Sequence, residues 1–368
     1  MIPVNEPLIA PNAKKYVTDC LDTGWISSSG KYLDKFETAF AAYLGVKYAT
    51  TTTNGTTALH LALAALGLGH GDEIIIPDLT IISCGLAALY VGATPVVVDV
   101  DPTTGNIDPT KIEKAITKRT RAIMVVHLYG HPADMDPILT IAKRHHLAVV
   151  EDAAEAHGAL YRGKKVGSFG DVACFSFYGN KIVTTGEGGM VVTNNQKLYE
   201  RAKLLKDLAH SPKRRFYHEE VGFNFRMTNM QAALGLAQLE EIERYIDIKL
   251  RMAKQYNDQL ASITSLILPS QAPWARSVYW MYSVLVSKTS PVDRDSIRAR
   301  LKEEGIDTRD HFVPLHRQPV FRKLGLFKKA SCPVSDDLSR RGFYLPSGLA
   351  ITDKQITTVT TTLKRLLP

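Results

Sequence analysis

Short runs of β-branched and apolar residues alternate with helical patterns along the first half of the chain. Both faces of each run are apolar, which is typical of parallel strands buried between two layers of helices. The runs cover residues 72–77, 95–100, 122–128, 147–152, 172–177 and 189–193. The pattern predicts an α/β fold with a mostly parallel central sheet, in which ligands bind at the carboxyl ends of the strands.

The second half of the chain begins with an extended run of good helix formers. The run follows Thr228 or Asn229, either of which is a plausible N-cap, and it continues to residue 260. This pattern predicts one long helix that joins two domains. Smaller elements follow, with strands predicted at residues 278–286 and 308–313 and helices at residues 294–304 and 353–366. We therefore predict a large domain over residues 1–245 and a smaller C-terminal α+β domain over residues 246–368.

Composition and charge narrow the classes of function. The 368 residues include 45% hydrophobic and 22% charged residues, as in an ordinary globular protein. The 45 basic and 37 acidic residues give a net charge of +8, and the basic residues are scattered apart from a short cluster at residues 213–215. This distribution argues against nucleic acid as a partner and is compatible with a small polyanionic ligand such as a nucleotide or a diphosphate.

Cysteine usage and the N-terminus indicate the compartment. The four cysteines lie far apart and form neither a CxxC pair nor a disulfide framework: Cys20, Cys84, Cys174 and Cys332. The N-terminus carries no secretory signal pattern, and no segment approaches transmembrane length. We therefore expect a cytoplasmic protein that is not inserted in a membrane.

Lys181 lies in the stretch SFYGNKIVTTGEGG, between apolar or aromatic residues and a glycine-dense turn. Most lysines are solvated at the surface, but these neighbours predict a partly buried amine. Burial lowers the pKa of a lysine, so its amine becomes a nucleophile toward carbonyl groups. A nucleotide-binding P-loop is disfavoured because there the lysine follows the glycines, whereas Lys181 precedes Gly186, Gly188 and Gly189.

Asp152 ends the apolar run at residues 147–152, well before Lys181 in the chain. A carboxylate at such a position can merely cap the next helix. Pyridoxal phosphate, however, needs a lysine for its aldehyde and a carboxylate that keeps its pyridine nitrogen protonated. The two residues together are therefore candidates for binding this cofactor.

A threonine-rich turn at residues 51–57 leads into an apolar helical pattern. A turn of small residues at a helix N-terminus presents backbone N–H groups and a positive dipole end to a phosphate, although it can also be a simple helix cap. Gly55 and Thr56 are the candidates here, and Ser176 could add a hydroxyl group. Phosphate helix, aspartate and lysine follow one another in the order found in fold type I pyridoxal-phosphate enzymes.

Seven stretches resemble, in the same order, those of the sugar-nucleotide aminotransferases. They are TGWISSSGKYLDKFE, TNGTTALHLAL, EDAAEAHGA, FSFYGNK, TTGEGGM, GFNFRMTN and FVPLH. The resemblance covers essentially the whole chain and is nearest to the branch containing the GDP-perosamine synthases. It implies the fold of a type I pyridoxal-phosphate aminotransferase, with a large cofactor-binding domain and a small C-terminal domain.

The resemblance also implies roles for the cofactor-binding residues. Lys181 would bond the cofactor and carry the proton between substrate and cofactor, while Asp152 would hold the pyridine nitrogen. The phosphate would be held by three residues of the same chain, Gly55, Thr56 and Ser176. Asn224 would reach that phosphate from a neighbouring subunit, so a homodimer with shared active sites is expected.

Two positions near the expected cofactor ring differ among the relatives. Glu155 stands where many relatives have Gln, although perosamine synthases tend to have Glu. Ile81, in PDLTII, stands where many relatives carry an aromatic residue, so aliphatic cover of the ring is expected here. Asp310 replaces a common proline in the loop that leads to His316.

Four further residues match segments that line the sugar-nucleotide cleft in the family: Trp25, Ser28, Arg309 and His316. On residue type alone, Trp25 could belong to the core and His316 could be a loop residue bonded to the backbone. The resemblance favours binding roles, with His316 a candidate contact for the diphosphate or the sugar. No metal site is predicted, since the histidine pairs 127/131 and 145/146 lack a convergent set of other ligands.

The resemblance implies a transaminase that uses L-glutamate to convert a nucleotide-linked 4-keto-6-deoxyhexose to the 4-amino sugar. GDP-4-keto-6-deoxymannose is the preferred substrate and GDP-perosamine the product, for O-antigen lipopolysaccharide; a UDP- or dTDP-linked sugar and amination at C3 remain alternatives. The sugar 3-dehydratases of this fold carry histidine where Lys181 stands, which argues against that branch. A non-catalytic binding or regulatory relative is disfavoured because Lys181, Asp152 and Ser176 are all present.

Overall fold

The computed structural model describes residues 1–211, 213–214 and 216–367. Arg215, part of the basic cluster at residues 213–215, lies outside the described residues. Fourteen strands are described, β1 to β14 in chain order: Tyr48–Thr52, Glu73–Pro77, Thr94–Val98, Thr120–Val126, Ala148–Asp152, Leu160–Tyr161, Lys164–Lys165, Val172–Ser176, Gly189–Thr193, Leu266–Ile267, Ala275–Arg276, Tyr282–Val286, Arg309–Asp310 and Gly342–Leu345.

The helices α1 to α13 follow the same convention. They are Ala13–Asp22, Lys31–Leu44, Gly55–Ala65, Ser83–Tyr90, Pro109–Ala115, Met135–His145, Gln196–Lys206, Asn229–Glu240, Ile242–Leu260, Arg294–Glu303, Pro319–Lys323, Pro333–Arg341 and Asp353–Leu366. Short 3₁₀ turns lie at Leu128–Gly130 and Leu315–Arg317. In the part of the chain that the structure describes, no helix combines the length and the apolar character needed to cross a membrane.

A seven-stranded sheet has the strand order β1-β9-β8-β5-β4-β2-β3. The pairs β2/β3, β2/β4, β4/β5 and β5/β8 are parallel, and β9 runs antiparallel to both of its neighbours. Alternate residues of β4 enter different cores: Ile123 and Val125 join one cluster, and Met124 and Val126 join the other. Both faces of the sheet are therefore apolar and buried, as expected for a mostly parallel sheet between two layers. The predicted α/β fold with a mostly parallel central sheet is confirmed.

A second sheet of four strands, in the order β10-β12-β14-β13, lies in the C-terminal third of the chain. Its residues Tyr282, Val284 and Phe343 belong to a separate apolar cluster that includes Tyr256 of α9 and Val359 of α13. This part has the α+β character expected of a small domain, while the division after residue 245 stays a prediction.

Several elements differ from the sequence predictions. Strands β6, β7, β10, β11 and β14 were not predicted, and the strand predicted at residues 308–313 is limited to Arg309–Asp310. Strand β1 was not predicted, because its run of threonines was assigned to the turn that follows it. The expected single long helix is two helices, α8 and α9, since the backbone at Glu241 leaves the helical region with φ −102° and ψ 5°. The strand predicted from residue 278 begins only at Tyr282, because Tyr279 has a left-handed backbone with φ 45° that is incompatible with an extended strand.

Candidate active site

A cavity of about 590 Å³ lies where β4, β5 and β8 end and α3 begins. This volume is within the usual range for small-molecule sites. Seven residues predicted from the sequence line it together: Gly55, Thr56, Ile81, Asp152, Glu155, Ser176 and Lys181. The carboxyl ends of parallel strands thus bring together residues that are up to 126 positions apart in the chain.

Lys181 is held in the loop that follows β8, where its backbone N–H donates to the carbonyl of Tyr178 at 2.9 Å. Its side chain is only 10% exposed. The Nζ atom lies 3.8 Å from Oε1 of Glu155 and 3.7 Å from the centroid of the Trp280 ring. Burial lowers the pKa of the amine, although the nearby Glu155 charge opposes this effect. The lowered pKa favours the neutral, nucleophilic form of the amine.

Glu155 follows β5 and is almost completely buried. Its Oε2 atom accepts a hydrogen bond from the backbone N–H of Tyr129 at 2.8 Å, while Oε1 faces Lys181. Burial raises the pKa of this carboxyl group to about 7, although Lys181 and the Tyr129 N–H favour the charged form. Glu155 can therefore hold or release a proton near neutral pH beside the lysine amine.

Asp152 is the last residue of β5 and is also buried. Its Oδ1 atom accepts from the N–H of Ala154 at 3.1 Å, and its Oδ2 atom accepts from the thiol of Cys84 at 3.1 Å. Burial, together with the Asp152 charge, keeps the pKa of that thiol well above its usual range, so Cys84 is a neutral donor. These bonds orient the carboxylate without neutralising it.

The start of α3 forms a tight cradle beside these charged groups. Asn54 and Thr57 bond each other's backbone N–H groups in a capping box, at 2.9 and 3.1 Å. The N–H groups of Gly55 and Thr56 open the helix, where they have no partner within it. A Cβ atom at Gly55 would lie 2.7 Å from Cβ of Ser176, so only glycine allows this approach.

Strand β9 packs against the turn that forms this cradle. A Cβ atom at Gly189 would lie 2.3 Å from the carbonyl oxygen of Asn54. In addition, Thr56 Oγ1 lies 2.8 Å from Oγ of Ser83 at the start of α4. The glycines that follow Lys181 therefore bring β9 against the turn that precedes α3.

Four predicted site residues are exposed in the single chain and lie outside the lining of this cavity: Trp25, Ser28, Asn224 and Arg309. The loop that carries Trp25 and Ser28 is anchored on Asn229, whose amide donates to the Trp25 carbonyl at 2.6 Å and whose backbone N–H donates to the Ser27 carbonyl at 2.6 Å. Their binding roles stay predictions.

His316 is buried and also lies outside the cavity lining. Its Nδ1 is 2.7 Å from Oδ2 of Asp78, and its backbone N–H donates to Oδ1 of the same residue at 2.9 Å. Cys332 completes a group whose potential ligand atoms all lie within 4.8 Å of one another. Sequence analysis missed this group because its three members come from distant segments of the chain. Two of the members, Asp78 and His316, are already hydrogen-bonded to each other.

The cavity has a wall that sequence analysis did not find. Trp280, Phe312 and Tyr344 line it from the C-terminal half of the chain. For Trp280 the signal was the aromatic content of the stretch VYWMY at residues 278–282, which was interpreted as strand. Phe312 opens the stretch FVPLH, which was matched to the family without assigning a role to Phe312.

The residues present fit pyridoxal phosphate. A buried amine, a buried carboxylate and a helix N-terminus flanked by hydroxyl groups line one cavity, and the contact of Gly55 with Ser176 leaves a cradle that any larger side chain would fill. A lysine for the aldehyde, a carboxylate for the pyridine nitrogen and a helix N-terminus for the phosphate are the groups that this cofactor requires. The fold and the site thus define a fold type I pyridoxal-phosphate enzyme.

Comparison with known proteins specifies the family. The DegT/DnrJ/EryC1/StrS aminotransferase family matches residues 7–364. GDP-perosamine synthase of Caulobacter vibrioides is 47% identical over 367 residues, covering 100% of this chain and 98% of that protein. GDP-perosamine synthase of Escherichia coli O157:H7 is 44% identical, covering 96% of this chain and 95% of that protein.

A solved structure agrees with these relatives. The crystal structure of S. venezuelae DesV in complex with ketimine intermediate superposes with a TM-score of 0.91 at 38% identity, covering 96% of this chain and 94% of that chain. The chain therefore belongs to the DegT/DnrJ/EryC1/StrS aminotransferase family. The predicted family, fold type, aminotransferase activity and cofactor, pyridoxal phosphate, are all confirmed.

Glu155 predicts a measurable pH dependence of stability. Its pKa is raised from 4.5 to about 7 in the folded protein. The folded state therefore binds this proton more tightly, and stability falls as the pH rises from about 4.5 to about 7, by about 3 kcal/mol in total. In Glu155→Gln this loss should disappear, because the amide does not titrate.

The measurement is the free energy of unfolding by denaturant at pH 5 and pH 8 in the cofactor-free protein. Glu155→Gln should gain stability relative to wild type between the two pH values, whereas Glu200→Gln, an exposed substitution on α7, should not. Equal pH dependence in wild type and Glu155→Gln would show that the carboxyl group titrates normally.

Proposed function

We propose that the protein transfers an amino group from L-glutamate to a GDP-linked 4-keto-6-deoxyhexose, with GDP-4-keto-6-deoxymannose as acceptor and GDP-perosamine as product. The observation that carries the choice of acceptor is the similarity to two GDP-perosamine synthases over at least 96% of this chain. The cavity supports the reaction itself, because it combines a buried amine, a carboxylate and a phosphate cradle.

Lys181 is the proposed catalytic residue. Its lowered pKa and its position beside Glu155 allow Nζ to accept a proton from the substrate carbon and to return it at the neighbouring centre. Pyridoxal phosphate, when bound, supplies an electron sink for the charge that develops on that carbon. Asp152 would hold the pyridine nitrogen and favour its protonated form, on which this sink depends. Glu155 is the second proton-holding group near the amine.

The phosphate site is proposed at the start of α3. The N–H groups of Gly55 and Thr56 and the hydroxyl groups of Thr56 and Ser176 converge there, and the positive end of the helix dipole favours an anion. Ile81, which is 37% exposed at the cavity, provides aliphatic contact where the ring would lie. Gly55 and Thr56 open α3 and Ser176 ends β8, so the phosphate site is held by the sheet, while Ile81 lies in the segment between β2 and α4.

The acceptor site is proposed on the open side of the cavity. Trp25, Ser28, Arg309 and His316 are retained as candidates for the nucleotide sugar because they match family segments, although none lines the cavity of the single chain. Arg309 is exposed on β13 and could meet a diphosphate without losing a strong ion pair, since its contact with Asp307 is 3.6 Å long.

A homodimer with shared active sites is part of the proposal. Asn224 is exposed and lies outside the cavity of its own chain, although the neighbouring Phe225 carbonyl accepts from the N–H of Thr53 at 2.9 Å. Large apolar side chains are also exposed, including Trp25 at 58% and Val221 at 84%. A particle with the mass of one chain in sedimentation at micromolar concentration would contradict the dimer.

The acceptor is tested with a panel of nucleotide keto sugars. The purified enzyme with L-glutamate should aminate GDP-4-keto-6-deoxymannose at C4, as judged by mass spectrometry and NMR of the product. The matched UDP- and dTDP-linked 4-keto sugars should react with kcat/KM lower by about 10²-fold or more, because a pyrimidine would leave unpaired the polar groups of a site that selects guanine. Preference for a UDP or dTDP sugar, or amination at C3, would overturn this choice while leaving the transaminase intact.

Two finer expectations accompany this function. A cytoplasmic location is supported by the four cysteines, which are all buried thiols without disulfide bonds. An O-antigen lipopolysaccharide as the destination of the amino sugar stays a prediction.

A further inference from the structure

Trp280 covers the lysine amine from the C-terminal half of the chain. Its ring centroid lies 3.7 Å from Nζ of Lys181, and the residue is only 3% exposed. Its indole N–H donates to the carbonyl of Asn180 at 2.8 Å, so the same side chain also fixes the backbone beside the lysine. The amine thus lies between an aromatic face and the Glu155 carboxyl group, which is 3.8 Å away.

Lys249 also contacts Trp280, through the backbone carbonyl of that residue. This residue of α9 is 1% exposed, and its Nζ donates to the carbonyl oxygens of Trp280, at 2.8 Å, and of Ser347. Ser347 in turn accepts the N–H of Tyr282 through its hydroxyl group at 2.8 Å. Lys249 therefore ties together the segment that precedes β12 and the segment that follows β14.

Burying the Lys249 amine costs more free energy than burying an apolar side chain, so packing alone does not explain a lysine at this position. Burial lowers the pKa of Lys249 to about 7, because the charged form is desolvated. An apolar side chain would fill the same space without that penalty. What an apolar residue could not provide is a donor for the Trp280 carbonyl, in a segment where Tyr279 already departs from extended geometry with φ 45°.

We propose that Trp280 is a further catalytic residue whose indole face holds the Lys181 amine, and that Lys249 is a positioning residue that fixes this indole through the Trp280 carbonyl. The inference rests on the proposed role of Lys181 as the proton carrier. An aromatic face attracts an ammonium group more strongly when water is excluded. It therefore stabilises the protonated amine between proton transfers, without donating or accepting a proton itself.

The test measures the pKa of the Lys181 amine directly, from the pH dependence of its labelling by an amine-reactive acyl reagent in the cofactor-free protein, read by peptide mass spectrometry. Trp280→Leu should lower this pKa by about one unit, because the cation–π contact is lost. Trp280→Phe, which keeps an aromatic face and fills the core, should lower it by less. In the complete enzyme, Trp280→Leu should reduce kcat by about 10-fold with little change in KM.

Lys249→Met tests the positioning role. It should shift the Lys181 pKa in the same direction, and Lys249→Gln, which keeps an N–H donor, should restore part of the shift. Lys165→Met is the matched control, since Lys165 also donates to a backbone carbonyl, that of Tyr43 at 2.8 Å, and lies 3.9 Å from an aromatic centroid. This control should leave the Lys181 pKa unchanged.

An unchanged Lys181 pKa in both Trp280 variants would overturn the role of the indole. Loss of thermal stability in Lys249→Met without a shift of that pKa would assign Lys249 to folding alone and would overturn the positioning role. Because the labelling needs neither substrate nor cofactor, its outcome is independent of whether the acceptor is a GDP-linked sugar.

Discussion

Replacing Lys181 with alanine is expected to reduce amino-group transfer by at least about 10³-fold, since the proton carrier is removed from the reacting centre. The other groups of the cavity remain, so the cofactor should still bind through its phosphate and its ring nitrogen, with weaker affinity. The measurements are kcat with L-glutamate and keto sugar, and the mass of the protein after borohydride reduction in the presence of pyridoxal phosphate. Reduction should leave a phosphopyridoxyl group on wild type at residue 181, which adds the mass of the cofactor minus water plus two hydrogens, and should leave none on the variant.

The matched control is Lys197→Ala, which removes an exposed lysine from the first turn of α7. It should retain wild-type activity and should still be modified at residue 181. If Lys181→Ala kept more than a tenth of the activity, or if the borohydride label appeared on another lysine, the assignment of the catalytic amine would be wrong.

The substitution Asp152→Asn is expected to have the second largest effect, a loss in kcat of about 10²-fold or more with a smaller change in KM for the sugar. An amide has nearly the shape of the carboxylate, and its oxygen can still accept from the Ala154 N–H. Its NH2 group would donate to the Cys84 sulfur instead of accepting from the thiol, so the geometry should survive. What is lost is the negative charge that keeps the pyridine nitrogen protonated. The experiment compares kcat, KM and the visible spectrum of the bound cofactor in wild type and variant.

Asp136→Asn serves as the control for charge removal, because Asp136 is largely exposed and its partner is the exposed Arg162 at 2.8 Å. It should behave as wild type in all three measurements. An Asp152→Asn enzyme with normal kcat, or one that only fails to bind the nucleotide sugar, would place the role of Asp152 elsewhere.

The half of the site that lies on the sheet could be predicted from the sequence. Asp152 and Ser176 each end an apolar run, and Gly55 opens a helix, so local patterns located them. Parallel strands end at one edge of the sheet, which is why residues from distant motifs meet in the cavity. The motif around Lys181 then identified the chemistry.

The remaining half depends on contacts between distant segments. Trp280 reaches Lys181 only because the C-terminal part folds back over the sheet, and no local pattern encodes that approach. The pairing of His316 with Asp78 depends on the same packing across 238 positions of the chain. The break of the long helix at Glu241 and the late start of β12 are likewise set by tertiary packing, which overrides local propensity.

The glycine contacts at the phosphate cradle have a consequence for protein engineering. Gly55 packs against Ser176 and Gly189 packs against the Asn54 carbonyl, so neither glycine has space for a methyl side chain. Mutant libraries designed to change the acceptor sugar should therefore leave Gly55 and Gly189 unchanged. Phe312 and Tyr344 line the cavity from the C-terminal half of the chain. Diversity introduced at these two positions can reshape the acceptor pocket, whereas Trp280 should be kept because it contacts the Lys181 amine.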